Sequence, residues 1–97
     1  MTGSAAAFAA AFLDHLRLNR NVSAHTTAAY DSDVAQFLTF ASSHLDKVDL
    51  TPADLDLDLI RGFMAQLHRQ GQSRSSVSRK LSALRTFMRY LKREGWI

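Results

Sequence analysis

The segment from residue 73 to residue 93 constrains the fold most, because its apolar residues recur at steps of four and three. They are Val77, Leu81, Leu84, Met88 and Leu91. At about 100° per residue these side chains share one stripe of an α-helix. The spacing therefore predicts a helix from Ser73 to about Arg93 whose stripe faces a core. Ser73 is its predicted N-cap residue, and Gly71 is predicted to end the preceding helix.

The other sides of this predicted helix are polar and cationic. Small hydroxyl side chains and one arginine lie opposite the stripe, at Ser75, Arg79, Ser82 and Thr86. Further cations follow one flank, at Arg74, Arg85, Arg89 and Lys92. A charged face is ordinarily only a solvated face, but such a face normally carries both signs of charge. Within this predicted helix, by contrast, no acidic residue occurs before Glu94.

The charge of the chain is strongly divided between its two parts. Residues 61–97 contain nine lysines and arginines against one glutamate, a net charge of +8. Residues 1–60 contain three cations against eight aspartates, a net charge of −5, so the overall value of +3 hides the division. A helix that combines cations with short hydroxyl side chains can enter a groove and meet phosphates, which makes duplex nucleic acid the leading predicted partner.

Length and composition restrict the remaining possibilities. Ninety-seven residues with 46% apolar content predict one globular domain, 1–97, and no apolar run is long enough for a membrane span. The alanine-rich start has no preceding basic residue, so it does not resemble a targeting peptide. The absence of cysteine excludes disulfides and thiolate sites and is typical of cytoplasmic proteins. One proline and four glycines favour helices over strands.

Two further helices are predicted before the acidic middle of the chain. The first has Ser4 as a possible N-cap and runs to about Asn19, with an apolar register of Phe8, Phe12 and Leu16. The second opens at Ser23, and its core face consists of Thr27, Tyr30, Val34, Phe37, Leu38, Ala41 and Leu45. Its opposite face carries His25, Ala29, Ser32 and Gln36. Unpaired N–H groups at its start could hold a phosphate near Ser23, His25 and Thr26, although each of these residues alone has an ordinary structural explanation.

An acidic connection follows, from Asp46 to Asp58. Thr51 and Pro52 predict an N-cap and a first helical position, and either Asp56 or Asp58 is predicted to cap a third helix that ends at Gln70. Gly62, inside that helix, predicts a close helix crossing. We therefore expect an all-α fold of four helices.

The chain shows no sign of catalysis by itself. Its four histidines are scattered, it has no cysteine, and no glycine-rich phosphate loop occurs. We predict no catalytic residue, no metal site and no cofactor, and hence no enzyme activity of this chain alone.

Three short segments in order carry a family resemblance. The first is Ser23-Ala24-His25-Thr26, followed by Tyr30, Asp33, Val34 and Phe37. The second is Leu67-His68-Arg69-Gln70-Gly71. The third is Arg79-Lys80-Leu81-Ser82-Ala83-Leu84-Arg85, preceded by Ser73, Ser76 and Val77 and followed by Phe87, Tyr90 and Leu91. In this order and spacing the chain resembles the N-terminal core-binding, SAM-like domain of the tyrosine recombinase (phage integrase) family, and within it the Xer recombinases.

The resemblance implies a four-helix orthogonal SAM-like bundle that forms half of a clamp on duplex DNA. Helices two and four would meet the major groove of a recombination half-site. Catalysis would belong to a separate C-terminal domain that this chain lacks, so Tyr30 and Tyr90 are not expected to be nucleophiles. The partners would be duplex DNA and, in a full-length recombinase, other protomers. The isolated domain would be monomeric. The parent protein would act in chromosome dimer resolution.

The resemblance also implies roles for individual residues. Ser23, His25 and Thr26 match the start of the family's second helix, where phosphate and groove contacts occur. Ser75, Ser76 and Arg79 match the first turns of its fourth helix, and Arg79 is the preferred base contact because arginine can donate two hydrogen bonds to guanine. Arg74, Lys80 and Arg85 are expected to contact the phosphate backbone.

Two alternatives remain from sequence. One is a small helical protein–protein interaction module whose basic helix docks an acidic partner; such a face should expose large apolar anchors. The other is a helix-turn-helix regulator, which the long fourth helix fits poorly.

Overall fold

The computed structural model describes residues 5–19 and 21–97, which form four α-helices. They are α1 (Ala5–Arg17), α2 (Ala24–Leu45), α3 (Leu57–Arg69) and α4 (Arg74–Arg93). A single 3₁₀ turn, Pro52–Asp54, lies in the connection between α2 and α3. The described ranges contain no strand, and the all-α, four-helix prediction is confirmed. The predicted N-cap Ser4 lies outside the described residues.

Short polar side chains begin the two helices of greatest interest. The Ser23 hydroxyl accepts a hydrogen bond from the Thr26 backbone N–H at 3.1 Å, and the Ser73 hydroxyl accepts one from Ser76 at 3.2 Å. Each satisfies one of the N–H groups that a helix start leaves unpaired. Both predicted N-caps are therefore confirmed.

The limits of α3 are also set by local chemistry. The Asp56 carboxylate accepts a hydrogen bond from the Leu59 N–H at 2.8 Å, which decides between the two predicted caps in favour of Asp56. The chain leaves α3 through Gly71, whose φ of 74° is the left-handed conformation in which glycine has no steric cost. A Cβ on Gly62 would lie 3.3 Å from the Phe40 ring, so the predicted close crossing occurs between α2 and α3.

Aromatic rings from all four helices fill the core. Phe12 of α1 lies 5.2 Å from Phe87 of α4, and Phe37 of α2 lies 5.6 Å from Phe63 of α3, measured between ring centroids. Phe12, Phe37 and Phe87 are essentially inaccessible to solvent. Phe87→Ala is the kind of change that costs roughly 3–5 kcal/mol in a packed core.

The buried face of α4 differs from the predicted stripe. Leu84 and Leu91 are buried as expected, whereas Val77, Leu81 and Met88 are only half-buried at its edge. The buried arc is completed by Lys80, Ala83, Phe87 and Tyr90. Its centre is rotated by roughly 80° from the predicted stripe, because Phe87 and not the aliphatic row occupies the middle. As a consequence, the side predicted to lie opposite the core turns towards α2, and the predicted cationic flank points outwards.

The second helix follows its predicted apolar pattern except at its last position, Leu45, and it also buries Asp33, which was not predicted. Thr27, Val34, Phe37 and Ala41 are buried, and Tyr30 and Leu38 are half-buried. Leu45, by contrast, is 41% exposed, because α2 extends beyond the core at its last turn.

The acidic connection is anchored rather than loose. Leu50 and Leu55 are buried on either side of the 3₁₀ turn, and the Leu50 carbonyl accepts a hydrogen bond from Ala5. Within the turn, the Asp54 carboxylate accepts from the Thr51 backbone N–H at 2.8 Å and lies 2.8 Å from the Lys47 amine. These hydrogen bonds, the one from Lys47 first, hold the pKa of Asp54 below its ordinary value.

Asp54→Ala is expected to lower the free energy of unfolding by about 1 kcal/mol near pH 7, since it removes a cap and an ion pair. A carboxylate whose pKa is depressed by folding stabilises the fold above its unfolded pKa of about 3.9 and loses that effect as pH falls through the folded pKa. Urea unfolding of both proteins at several pH values checks this. The difference between them should shrink below about pH 4; a difference that persists in acid would contradict the assignment.

The end of the chain packs back on its beginning. Trp96 lies with its ring centroid 4.2 Å from that of Phe8 and 5.8 Å from that of Tyr90. The Trp96 N–H donates to the Leu91 carbonyl across Gly95, whose φ is 80°, in the usual hydrogen-bond pattern of a helix end. Trp96 is 37% exposed, and its packed side forms part of the α1–α4 junction.

Candidate nucleic-acid interface

α2 and α4 pack side by side in opposite directions. Asp33, in the middle of α2, contacts Arg79 and Lys80 near the start of α4. Thr26, in the first turn of α2, lines a recess together with Thr86 in the second half of α4. The start of each helix therefore lies beside a later part of the other.

In this arrangement the predicted polar faces of α2 and α4 join into one continuous surface. On α2 it carries His25, Ala29, Ser32 and Gln36; on α4 it carries Ser75, Arg79, Ser82 and Thr86. We call these eight residues the α2–α4 face. Except for half-buried Ala29 and Thr86 they are exposed, and apart from His25, Gln36 and Arg79 their side chains are small. A surface of short polar side chains allows close approach of a large partner.

Cations border this face on α4. Arg74, Arg85, Arg89 and Lys92 are all exposed on the outward side of the helix. Among residues 5–19 and 21–97, none of these four forms an ion pair with a carboxylate. Their charge is therefore available to an anionic partner, in contrast to that of Arg17, Lys47 and Arg61, which pair with aspartates.

The interior of the α2–α4 contact holds a charged network. Asp33 is fully buried, and its two carboxylate oxygens accept hydrogen bonds from Arg79 Nε at 3.1 Å and Arg79 Nη2 at 2.9 Å. The Lys80 amine donates to Asp33 Oδ1 at 3.2 Å and to Gln36 Oε1 at 3.0 Å. No buried side-chain polar atom of the described residues is without a partner. The network thus meets the requirement that a buried charge be both paired and hydrogen-bonded.

Lys80 requires a correction. It was predicted to contact the phosphate backbone, but it is only 5% exposed and its amine points into the contact between α2 and α4. An amine committed to Asp33 and Gln36 inside the protein is not available to a phosphate. We therefore remove Lys80 from the candidate interface and assign it a structural role.

Arg79 lies at the boundary between the network and the surface. Its side chain is half exposed, and one edge of its guanidinium is bound to Asp33. The hydrogen bonds that Arg79 donates to the Asp33 carboxylate raise the pKa of Arg79, so the side chain stays charged. Arg79 remains a candidate for base contact, with a defined orientation that the sequence pattern did not indicate.

The other candidate residues fall into two groups. Ser23, His25 and Thr26 are exposed at the start of α2, next to the second half of α4. Ser75 is exposed and Ser76 half-buried in the first turn of α4, near the middle of α2. At 1.5 Å per residue, Thr26 and Asp33 are about 10 Å apart along α2, so the two groups are separate contact points on one face.

A recess of about 630 Å³ at the end of this face was missed by the sequence reasoning. It is lined by residues of α1, α2 and α4, among them Thr26, Tyr30, Thr86, Arg89 and Arg93. Arg93 Nη2 lies 2.9 Å from His15 Nε2, which ties the cationic end of α4 to α1. From the sequence, Arg89 was noted only as a cation and Arg93 only as the end of the fourth helix, because a contact between distant helices leaves no periodic signal in the sequence.

Comparison with known proteins agrees with this architecture. A family model described as phage integrase, N-terminal SAM-like domain, matches residues 9–95. The chain belongs to this family. The resemblance inferred from the sequence is therefore confirmed. No solved structure matches this phage integrase N-terminal domain.

Curated relatives extend the comparison. The domain is 39% identical over 85 residues to tyrosine recombinase XerC of Pelotomaculum thermopropionicum, covering 86% of this chain and 28% of that protein. It is 46% identical over 86 residues to tyrosine recombinase XerC of Pseudomonas aeruginosa strain LESB58, covering 88% of this chain and 27% of that protein. The chain thus spans about a quarter of the length of these relatives. None of the helices in the described ranges is long and apolar enough to cross a membrane.

Proposed function

We propose that this domain binds duplex DNA through the α2–α4 face, as the N-terminal core-binding domain of a Xer-type tyrosine recombinase. The observation that carries the proposal is the combination of small polar side chains on that face with bordering arginines that form no ion pair with any carboxylate of the described residues. Helices α2 and α4 would meet the major groove of a recombination half-site. Membership in a family whose relatives are named tyrosine recombinases supports this assignment.

The chemistry of the face fits DNA in two respects. Short side chains such as Ser32 and Ser82 leave room for the edges of a groove, while Arg85 and Arg89 extend far enough to reach phosphates. When cations without a carboxylate partner bind DNA phosphates, counterions are released and the affinity rises. An arginine that is already paired with an aspartate adds less to the affinity. At the start of α2, Ser23 and Thr26 present a helix N-terminus, which favours a phosphate oxygen.

A protein–protein interaction module is the competing function, and the exposed apolar residues argue against it at this face. The large apolar side chains exposed in the described ranges are Leu18, Leu45, Val48, Leu57, Trp96 and Ile97. None of them belongs to the α2–α4 face. A partner-binding surface usually contains a central aromatic or aliphatic anchor, which this one lacks.

The wider role is part of the same proposal. The parent protein would be a cytoplasmic recombinase of the chromosome dimer resolution type, in which other protomers assemble on adjacent half-sites. Strand cleavage would depend on a catalytic domain outside this chain. The isolated domain would be a DNA-binding monomer without activity of its own, and it would need neither metal nor cofactor.

Titration of a fluorescently labelled duplex with the domain at about 50 mM and about 200 mM salt tests the proposal. Binding is expected at the lower salt and should weaken by about tenfold or more at the higher, as for a protein that makes several phosphate contacts. Absent binding at the lower salt, or affinity that does not change with salt, would contradict DNA binding by this face. An acidic helical partner would then be the next candidate to examine.

A further inference from the structure

We infer that Asp33 is a positioning residue, which holds Arg79 so that the free edge of its guanidinium is presented to a DNA base. The inference rests on the proposed DNA binding and adds a determinant of sequence discrimination that does not itself touch DNA. It concerns an aspartate on the helix facing Arg79, 46 positions away in the chain.

The geometry of the Asp33–Arg79 contact is that of a locked side chain. Two parallel hydrogen bonds, at 3.1 Å from Nε and 2.9 Å from Nη2, join the guanidinium to the two oxygens of one carboxylate. Such a bidentate contact fixes the plane of the guanidinium as well as its position. Because Asp33 is completely buried, water does not compete for its oxygens.

Asp33 itself is held by a second layer of contacts. The Lys80 amine donates to Asp33 Oδ1 at 3.2 Å, and Gln36 Oε1 accepts from the same amine at 3.0 Å. The Gln36 amide in turn donates to the Ser32 hydroxyl at 3.0 Å. These contacts therefore fix the Asp33 carboxylate, and the carboxylate in turn orients the guanidinium of Arg79.

The donors that remain on Arg79 match a base edge. A guanidinium has five N–H groups, and Asp33 engages two of them. The three that remain are both hydrogens of Nη1 and one of Nη2, and half of the side-chain surface of Arg79 is accessible to solvent. This outer edge can donate two parallel hydrogen bonds to guanine N7 and O6. Since the side chain is already ordered, little conformational freedom is lost when a base is contacted.

A purely structural role for the network makes different predictions. If Asp33 only compensates the buried charge of Lys80, replacing both residues together should leave DNA recognition intact. If Asp33 positions Arg79, the same replacement should free the guanidinium and reduce discrimination between sequences. The double variant D33N/K80M makes this comparison without changing the net charge, and removing both buried charges avoids leaving one unpaired.

The experiment starts by selecting a preferred duplex from a random-sequence pool with the wild-type domain. Dissociation constants for that duplex and a shuffled one are then measured for wild type, D33N/K80M, K80M and R79A. We expect D33N/K80M and R79A to lose the same part of the preference, about five- to 150-fold, as for one bidentate base contact. K80M, which keeps the Asp33–Arg79 contact, should retain the preference. Circular dichroism confirms that each variant is folded.

Nuclear magnetic resonance supplies a readout that does not depend on DNA. The Arg79 Nε–H signal should be sharp and slow to exchange with water in wild type and in K80M, and it should be lost into the envelope of mobile arginines in D33N/K80M. Preference retained by folded D33N/K80M or by R79A would overturn the inference while DNA binding stands. A wild-type domain that binds no duplex would overturn both.

Discussion

The double substitution R85Q/R89Q is expected to weaken binding of the domain to duplex DNA roughly 60-fold at about 0.1 M salt. Each cation that meets a phosphate contributes about 0.9 log unit of affinity for every tenfold reduction of salt below about 1 M. Arg85 and Arg89 are exposed, border the α2–α4 face and have no carboxylate partner among the described residues, so two such contributions should be lost. The slope of log affinity against log salt should become shallower by about 1.8.

The matched control is R61Q/R69Q, which removes the same charge from the exposed side of α3. Arg61 lies 3.5 Å from Asp58, and neither arginine belongs to the α2–α4 face. We expect the control to change affinity by only a few fold and to leave the slope nearly unchanged, since neither arginine is among the cations that border the α2–α4 face. If both double variants lose the same affinity, the domain attracts DNA by diffuse charge and the face has no special role.

Asp33→Ala is expected to lower the free energy of unfolding by about 3–5 kcal/mol, whereas Lys80→Met should cost much less. Without Asp33, the Lys80 amine stays buried and, among the described residues, keeps the hydrogen bond to Gln36 alone. Without Lys80, by contrast, Asp33 still accepts two hydrogen bonds from Arg79. The two ends of one ion pair should therefore differ in their effect on stability.

Urea unfolding followed by circular dichroism measures this asymmetry, provided the slope of the transition is the same in each variant. The double variant D33A/K80M should recover a large part of the loss, because no buried charge remains unpaired. Asp31→Ala, an exposed aspartate on the same helix, is the control and should change stability by less than about 0.5 kcal/mol. Equal losses for Asp33→Ala and Lys80→Met would contradict the proposed division of contacts.

The helices and their limits were largely predictable, because local chemistry determines them. Ser23 and Ser73 cap helices in the structure as they do in the sequence pattern, and Gly71 ends α3 where a left-handed residue is needed. The end of α1 was placed two residues too late, at Asn19 in place of Arg17, because polar residues continue the helix pattern without contributing to the core.

The rotation of α4 and the burial of the charged network were not predictable by the same means, because both depend on contacts between helices. Charge alone suggested that Lys80 is exposed. A signal was nevertheless present: Lys80, Leu84, Phe87 and Leu91 follow core spacing, as do Tyr30, Asp33 and Phe37 on α2. Opposite charges that each occupy a core position on different helices indicate a buried ion pair.

The packing of Trp96 against Phe8 provides an internal probe of one junction. Trp96 is the single tryptophan of the chain, so its fluorescence reports on the contact between the start of α1 and the end of α4. Circular dichroism, in contrast, averages over all four helices. If the two signals change together during unfolding, the domain unfolds in one step; if fluorescence changes first, the contact between Trp96 and Phe8 opens while the helices stay folded.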